Sequence, residues 1–337
     1  MVITKTPLRA SFFGGGTDFA GYYENSKYGY GTVLSACLDM NVYITVNKKF
    51  DDMVRVVYNG NELVSSAAEV KHNIIREAMK TTGIEKGIEI IYMADIPLSN
   101  AGLGLASSSA LAVGVLNALY SYLNCTSEAA HRGFCRSPEV LARQAIDIEI
   151  NKLGQRIGIQ DQFAVAYGGF NQYKFFSDGT VSVTPILCEK SVMEQLKSNL
   201  MLFYTGTARD SHKILNEQSD TIQDKTAMLD DLVMTAEQAV IQLQKGNVDF
   251  WGEQLHRTWQ IKKQFASGVS NPQIDDMYTK GTDAGALGGK ILGAGGGGFM
   301  LFYVPKEKQA DVSQALKEFQ QIPFKFSHEG SRVVFVD

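Results

Sequence analysis

The sequence predicts an α+β protein with two domains. Strand-like and helix-like segments follow one another without the regular βαβ alternation that a doubly wound parallel sheet requires. A chain of 337 residues is also long enough for two domains. The polar run at 188–191 separates two halves of different character, and we place the boundary there, with domains at 1–190 and 191–337.

The first half carries the patterns of several strands and helices. Short β-branched or alternating runs predict strands at 42–46, 53–58 and 88–93. Apolar residues at helical spacing predict helices around Ile74, over 111–123 and over 138–152. The second of these helices is apolar on every face, so we expect it to be buried. Aspartate and glycine at 178–179 predict a hairpin turn after 168–176.

The second half mixes strands with longer helices. Apolar runs predict strands at 200–204, 299–304 and 332–336. Helical spacing of apolar residues predicts helices over 228–243 and 306–319. The two halves therefore both predict sheets covered by helices.

Composition and charge narrow the class of protein. Hydrophobic residues make up 45% of the chain and the net charge is −4, which favours a globular enzyme and gives no electrostatic case for nucleic acid or a membrane. The first seven residues lack the apolar core of a signal peptide. The cysteines lie apart, without CxxC pairs, which is typical of reduced thiols in a cytoplasmic protein; they are Cys37, Cys125, Cys135 and Cys188.

The segment Gly-Leu-Gly-Leu-Ala-Ser-Ser-Ser at 102–109 is the strongest functional signal. Small residues let a ligand approach the backbone closely, and the serines precede an apolar helix whose first N–H groups are free. Such a helix start is suited to the phosphates of a nucleotide. The alternative is a flexible loop followed by a serine-capped buried helix.

Two further glycine-rich segments flank this one, at 7–19 and 290–299. A dinucleotide-binding motif needs a helix after its glycines. The run at 299–304 that follows the last segment instead predicts a strand, so we exclude that motif. A tight turn without a ligand is the alternative.

In their order and separation, the three segments resemble the signature motifs of the GHMP kinase superfamily, over nearly the whole chain. The resemblance implies an N-terminal domain like domain two of ribosomal protein S5 and a ferredoxin-like C-terminal domain. It also implies ATP and Mg²⁺, and that the last glycine run packs against the phosphate loop.

The middle segment departs from the family pattern Gly-Leu-Gly-Ser-Ser in either of two registers. One register matches Gly102 and Gly104, but places Leu105 and Ala106 where serines belong. We prefer the other, in which Ala106 replaces a glycine and the serines stay at the helix start. The resemblance then implies that Ser108 is a magnesium ligand and that the nucleotide contacts are Gly102, Gly104, Ala106, Ser107, Ser108 and Ser109.

Three charged residues match the family's catalytic positions. Asp161 lies in a Gly-Ile-Gln-Asp-Gln segment, which matches the catalytic carboxylate. Glu149 precedes Asp161 by about the separation that the family has between its magnesium-binding glutamate and its catalytic carboxylate. Arg9 lies two residues after Pro7, as the arginine does in the family's first motif. Phosphoryl transfer needs charge neutralisation and a group that orients the attacking hydroxyl, and these residue types supply both. A solvent-exposed helix carboxylate and a turn aspartate are the alternatives for Glu149 and Asp161.

The resemblance also implies a sugar site. Gly15, Gly16, Thr17 and Asp18 match the Gly-Thr-Asp arrangement that binds sugar hydroxyls in galactokinase-like members. The segments around Arg209, Lys262 and Lys290 resemble members that act on a phosphorylated heptose or on fucose. Arg209 and Lys262 are our candidates for the distal phosphate, with Lys290 as a third; ordinary surface charge is the alternative.

The implied function is ATP-dependent phosphorylation of the anomeric hydroxyl of D-glycero-D-manno-heptose 7-phosphate, in nucleotide-activated heptose synthesis. A kinase for unphosphorylated fucose or galactose is the near alternative. A non-catalytic sugar sensor on the same scaffold is the alternative from another class. The expected partners are the sugar substrate and ATP, with neither nucleic acid nor membrane.

Overall fold

The structure is a computed structural model, and it describes residues 1–96, 103–126, 136–207 and 211–337. It confirms the mixed α+β class, with two sheets and helices packed against both. The strands are β1 Val2–Phe13, β2 Tyr30–Lys48, β3 Val54–Val57, β4 Asn61–Val64, β5 Ile88–Ala94, β6 Phe170–Phe176, β7 Val181–Pro185, β8 Leu200–Tyr204, β9 Gly288–Ile291, β10 Phe299–Tyr303, β11 Gln320–Ile322, β12 Phe326–Ser327 and β13 Arg332–Val336. The α-helices are α1 Ala20–Tyr23, α2 Asn73–Thr82, α3 Ser107–Thr126, α4 Pro138–Ile146, α5 Gln160–Tyr167, α6 Lys190–Ser198, α7 Ser211–Asp220, α8 Thr226–Gln244, α9 Asp249–Lys262, α10 Pro272–Asp283 and α11 Gln309–Ala315.

The first sheet is built around the long strand β2. Its path runs β13-β1-β2-β5-β3-β4, and β6 and β12 also pair with β2. All of these pairs are antiparallel except β3 with β5. Inward-facing residues of β1 and β2 are almost fully buried, among them Leu8, Phe12 and Val42. Burial of such side chains on both strands fixes the register, which sets Arg9 opposite Cys37.

The second sheet has the order β11-β8-β10-β9 and is antiparallel throughout. Its core includes Trp259, Phe302 and Met300, all buried. Helix α3 packs on β1 and β2 of the first sheet, and its residues from Ala110 to Leu119 are almost entirely buried, as its uniform apolarity predicts. Helix α9 packs on β9 of the second sheet and on α8. The start of α3 and one face of α9 thereby line a common cavity.

The end of the chain returns to the first sheet. Strand β13 pairs with β1, and β12 pairs with β2. A division of the chain at 190, which stays a prediction, therefore assigns two strands of the first sheet to the second segment.

Two segments that the sequence predicts as single helices combine an α-helix with another helix type. The helix predicted over 138–152 is α-helical to Ile146 and continues as a π-helix over Asp147–Lys152. The wider π turn shifts the side-chain direction, and it buries Glu149 completely. The helix predicted over 306–319 is a short 3₁₀ turn followed by α11. Among the helices of the described ranges, none is long and apolar enough to span a membrane.

Candidate active site

A cavity of about 460 Å³ lies where the two sheets and their helices meet. The end of β1, the start of α3 and the start of α5 form one side of it. The C-terminal glycine run at 293–297 and the face of α9 that carries Thr258 and Lys262 form the other side. Segments that are far apart in sequence therefore line the same cavity, and many of the lining residues are polar.

Arg9 and Asp161 form a two-bonded ion pair in this cavity. Arg9 Nε donates to Asp161 Oδ1 at 2.8 Å, and Nη2 donates to Oδ2 at 2.7 Å. The arginine side chain is 4% exposed and the aspartate 24%, so the carboxylate keeps an open side toward the cavity. Arg9 Nη1 also donates to the carbonyl oxygen of Gly104 at 2.7 Å. One guanidinium thus connects the carboxylate to the loop before α3.

The C-terminal glycine run packs directly on that loop, as the sequence resemblance implies. A Cβ on Gly104 would lie 2.2 Å from the carbonyl oxygen of Leu292, and one on Gly293 would lie 2.3 Å from the Cα of Gly104. A Cβ on Gly298 would lie 2.3 Å from the carbonyl oxygen of Leu103. Only glycine permits this backbone contact, which explains why two glycine-rich segments are needed. The strand β10 that follows the run confirms that it is not a dinucleotide-binding motif.

Ala106 occupies a left-handed backbone position at the start of α3. Its φ is +63°, and it has the only positive φ among the non-glycine residues of the described ranges. Its carbonyl accepts the first helical hydrogen bond, from the N–H of Ala110 at 2.9 Å. A left-handed residue at this point explains the glycine of the family pattern, and it supports the register that puts Ala106 in that place.

We expect Ala106→Gly to leave the stability of the protein nearly unchanged. Removing the strain of an alanine in the left-handed region stabilises the folded state by about 1 kcal/mol. Glycine has more conformational entropy in the unfolded chain, which offsets about 0.4–1 kcal/mol of this gain. Ala110→Gly is the matched control, because Ala110 is fully buried within α3. That control should lower the free energy of unfolding by about 1 kcal/mol or more, measured by denaturant titration. Equal losses in both variants would contradict the assignment of strain to Ala106.

Glu149 lies at the centre of a buried polar cluster. Its Oε1 accepts a hydrogen bond from Ser108 Oγ at 2.6 Å. Its Oε2 accepts from Ser109 Oγ at 2.8 Å and from Gln162 Nε2 at 2.6 Å. Burial raises the pKa of this carboxyl, and the three donors oppose that shift in part. A carboxylate and hydroxyl oxygens are hard ligands of the kind Mg²⁺ prefers, so this donor set fits such an ion.

Asp18 is buried beside the ion pair. It is 1% exposed, and it accepts hydrogen bonds from the N–H groups of Gly16 at 3.0 Å and Gln160 at 3.2 Å. Burial, and secondarily the charge of Asp161, raises the pKa of Asp18. A Cβ on Gly158 would lie 2.0 Å from Asp18 Oδ2, so the loop before α5 encloses the carboxylate closely.

Gly15 and Gly16 line the cavity next to Asp18, whereas Thr17 does not. A Cβ on Gly15 would lie in ordinary contact with Ser11 Oγ at 3.7 Å and Gln160 Nε2 at 3.8 Å. Because Gly15 has no side chain, a space remains between these polar groups. The Thr17 hydroxyl donates to carbonyl oxygens at 2.8 Å within its own turn and on β2, so it holds the turn together.

Lys262 and Lys290 both line the cavity. Lys262 Nζ donates to the carbonyl oxygens of Ile291 and Gly293, and Lys290 Nζ donates to that of Phe12 at 2.9 Å. Both positions on the cavity wall differ from the alternative of ordinary surface charge, and a role of these lysines toward a distal phosphate stays a prediction. Gly102 and Arg209, two other sequence-based candidates, lie outside the described residues.

An aromatic recess in the same cavity was missed by the sequence analysis. The rings of Tyr58 and His72 meet edge to face at 4.9 Å, and the ring of Tyr92 lies 6.4 Å from that of His72. All three line the cavity on the side of α3. His72 Nδ1 is buried without a hydrogen-bond partner among the described residues. The residues come from β5 and the segments around β4, and no local motif marks them.

Two hydroxyl groups on the cavity wall were also missed. Ser11 is 5% exposed and Thr258 is 2% exposed, and neither hydroxyl has a partner within the described part of the chain. A buried hydroxyl without a partner is unfavourable, so a ligand hydroxyl at this point would be stabilising. Serine and threonine give no pattern in sequence that distinguishes such positions.

Comparison with known proteins gives the family. The family model for the GHMP kinases N terminal domain matches residues 62–169, and that for the GHMP kinases C terminal domain matches residues 239–321. The chain belongs to the GHMP kinases, and its two-domain mixed α/β fold is theirs. It is a phosphotransferase with an alcohol group as acceptor, a sugar kinase similar at modest identity to heptose phosphate kinases.

Individual relatives match over most of the chain. The D-glycero-alpha-D-manno-heptose 7-phosphate kinase of Campylobacter jejuni is 28% identical, over 97% of this chain and 97% of its own length. The galactokinase of Pyrococcus furiosus is 24% identical over 94% of this chain and 92% of its own. The crystal structure of a D-glycero-D-manno-heptose 1-phosphate kinase from Bacteroides thetaiotaomicron has a TM-score of 0.80 at 24% identity, and covers 100% of both chains. The names of these two heptose kinases differ in the position of the phosphate.

Proposed function

We propose that this protein is an ATP- and Mg²⁺-dependent kinase that phosphorylates the anomeric hydroxyl of D-glycero-D-manno-heptose 7-phosphate. The observation that carries this proposal is the Arg9–Asp161 pair, which lies between a phosphate loop and a buried sugar-type carboxylate, Asp18, in one cavity. The similarity to the Campylobacter jejuni enzyme supports the choice of substrate.

Asp161 would orient the attacking hydroxyl and accept its proton. In the reaction the bond between the γ-phosphorus and the ADP oxygen breaks, and the bond to the anomeric oxygen forms. The released proton goes to the open side of the Asp161 carboxylate. Arg9 would hold that carboxylate in place by its two hydrogen bonds and stabilise charge on the phosphoryl group.

The ATP site is supported by the start of α3. Ser107, Ser108 and Ser109 with the free N–H groups of the first helical turn would hold the phosphates, after Gly104 and Ala106. The aromatic recess of Tyr58, His72 and Tyr92 is the part of the cavity suited to the adenine ring, because it offers flat apolar faces and an unpaired ring nitrogen.

Ser108 and Glu149 are the residues that would hold the magnesium ion. A magnesium ion held there would supply charge neutralisation for the phosphates of ATP. Their hydrogen bond of 2.6 Å keeps both oxygens together, and Gln162 and Ser109 fix the orientation of the carboxylate.

The sugar would bind at the end of the cavity formed by Gly15, Gly16 and Asp18. A carboxylate accepts two hydrogen bonds from neighbouring sugar hydroxyls, and the space above Gly15 allows a substrate to approach Ser11 and Gln160. Arg209 remains our candidate for the 7-phosphate.

The decisive experiment compares kcat/KM for D-glycero-D-manno-heptose with and without its 7-phosphate, alongside galactose and fucose. We expect a preference of about ten- to a hundredfold for the phosphorylated heptose, because each charge-assisted hydrogen bond to phosphate contributes roughly 1.5–3 kcal/mol. The new phosphate should appear at the anomeric carbon in the phosphorus NMR spectrum of the product.

Equal values for the two heptoses would overturn the choice of substrate, and good turnover of fucose or galactose would replace it. An absence of turnover with any sugar would favour a sensor. Arg209→Ala should raise KM for the phosphorylated heptose alone. If the preference survives in this variant, only the role of Arg209 is wrong.

A further inference from the structure

Two ammonium groups on the cavity wall, Lys290 buried and Lys262 partly buried, have no anionic partner among the described residues. Lys290 on β9 is 3% exposed, and its Nζ donates to the carbonyl oxygen of Phe12. Lys262, in the last turn of α9, donates to the carbonyl oxygens of Ile291 and Gly293. Among the residues that the structure describes, neither lysine forms an ion pair. Carbonyl oxygens satisfy the donors but leave both charges uncompensated.

The described lining of the cavity includes three basic side chains, Arg9, Lys262 and Lys290, and two carboxyl groups, Asp18 and Asp161. Arg9 lies nearby, but Asp161 compensates its charge. Burial, and secondarily the charge of Arg9, lowers the pKa of Lys290 to about 7. Burial, and secondarily Lys290 and Arg9, lowers the pKa of Lys262 well below its usual value. An uncompensated buried cation is unfavourable, and a bound anion would relieve that cost.

The two lysines lie at the reacting end of the cavity. Gly293, which accepts from Lys262, packs on Gly104 of the phosphate loop. Phe12, which accepts from Lys290, follows Arg9 on the same strand, β1. The Arg9 guanidinium, which bonds the same loop, is near enough for its charge to lower the pKa of both amines.

We propose that Lys262 and Lys290 form an anion subsite for the γ-phosphate of ATP, beside Arg9. This inference rests on the proposed ATP-dependent reaction and adds two residues that touch the transferred group. It replaces our sequence-based expectation that these lysines hold the distal phosphate of the sugar.

A consequence of this subsite is proton uptake on nucleotide binding. Among the described residues, the charged groups near Lys290 are Arg9 of β1, with its partner Asp161 of α5, and Lys262 of α9. An added phosphate favours the charged form of both amines and raises their pKa values. At a pH above about 7, where Lys290 is largely neutral, binding therefore takes up protons; below that pH it does not.

The test is calorimetric titration of the protein with magnesium and AMPPNP, at about pH 8, in two buffers of different ionisation enthalpy. We expect the wild-type protein to take up roughly one proton per nucleotide. Lys290→Met should lose the part of that uptake that Lys290 contributes, and it should bind about ten- to a hundredfold more weakly. Lys263→Met is the matched control, because Lys263 is next on the chain but lies 3.8 Å from Asp275; it should behave as wild type.

A second variant keeps the test valid if the methionine variant does not fold. Lys290→Arg retains a charge that does not titrate, so at about pH 8 it should bind the nucleotide with less proton uptake than the wild-type protein, the remaining uptake being that of Lys262. Wild-type uptake and affinity in Lys290→Met would overturn the proposed subsite while leaving the proposed function intact. Failure of the wild-type protein to bind magnesium-AMPPNP would instead overturn the proposed function.

Discussion

Asp161→Asn should reduce kcat by about 10²- to 10⁴-fold, because it removes the group that orients the hydroxyl and accepts its proton. The open side of Asp161 faces the cavity, and an amide oxygen there cannot take up a proton at neutral pH. One of the two hydrogen bonds with Arg9 would also be lost. Binding of magnesium-AMPPNP, measured by calorimetry, should change little, since Asp161 is not part of the phosphate loop.

The matched control is Asp231→Asn. Asp231 also pairs with an arginine, Arg257, at 2.9 Å, but both side chains are 54% exposed. An exposed pair of this kind contributes little to stability. We expect the control to keep wild-type kcat and melting temperature. If Asp161→Asn retains more than half of the wild-type kcat on the true substrate, the proton-acceptor assignment is wrong.

The parts of the site that sequence could predict are those with a local pattern. Short apolar or alternating runs predicted part of β2 and the strands β3, β5 and β13 of the first sheet, and uniform apolarity predicted most of α3. The glycine-rich segments could be interpreted because close backbone approach leaves few residue types possible, as at Gly104 and Gly293. Their order along the chain then gave the family.

The parts that sequence could not predict depend on contacts between distant segments. Lys290 and Phe12 are 278 residues apart, and nothing near either residue indicates a buried ammonium group. Thr258 and Ser11 are ordinary residues until the cavity walls meet. The roles of Arg9 and Asp161 stay predictions, although the structure brings the two side chains into contact across 152 residues.

Glu149→Gln should raise the Mg²⁺ concentration needed for half-maximal rate by about tenfold or more, because it replaces a charged ligand with a neutral amide. Ser109 and Gln162 donate hydrogen bonds to the Glu149 carboxylate, and the amide of the variant would place an N–H group against one or both of these donors. Glu139→Gln is the matched control: Glu139 pairs with Arg143 on the exposed face of α4 and should leave the titration unchanged.

The pH dependence of this titration separates a metal ligand from a purely structural carboxyl group. Burial raises the pKa of Glu149, so a falling pH adds a proton that the metal ion must displace. The wild-type Mg²⁺ requirement should therefore increase as the pH falls, and by more than in Glu149→Gln, which has no such proton. If both proteins shift equally with pH, and their Mg²⁺ requirements coincide, Glu149 does not bind the metal.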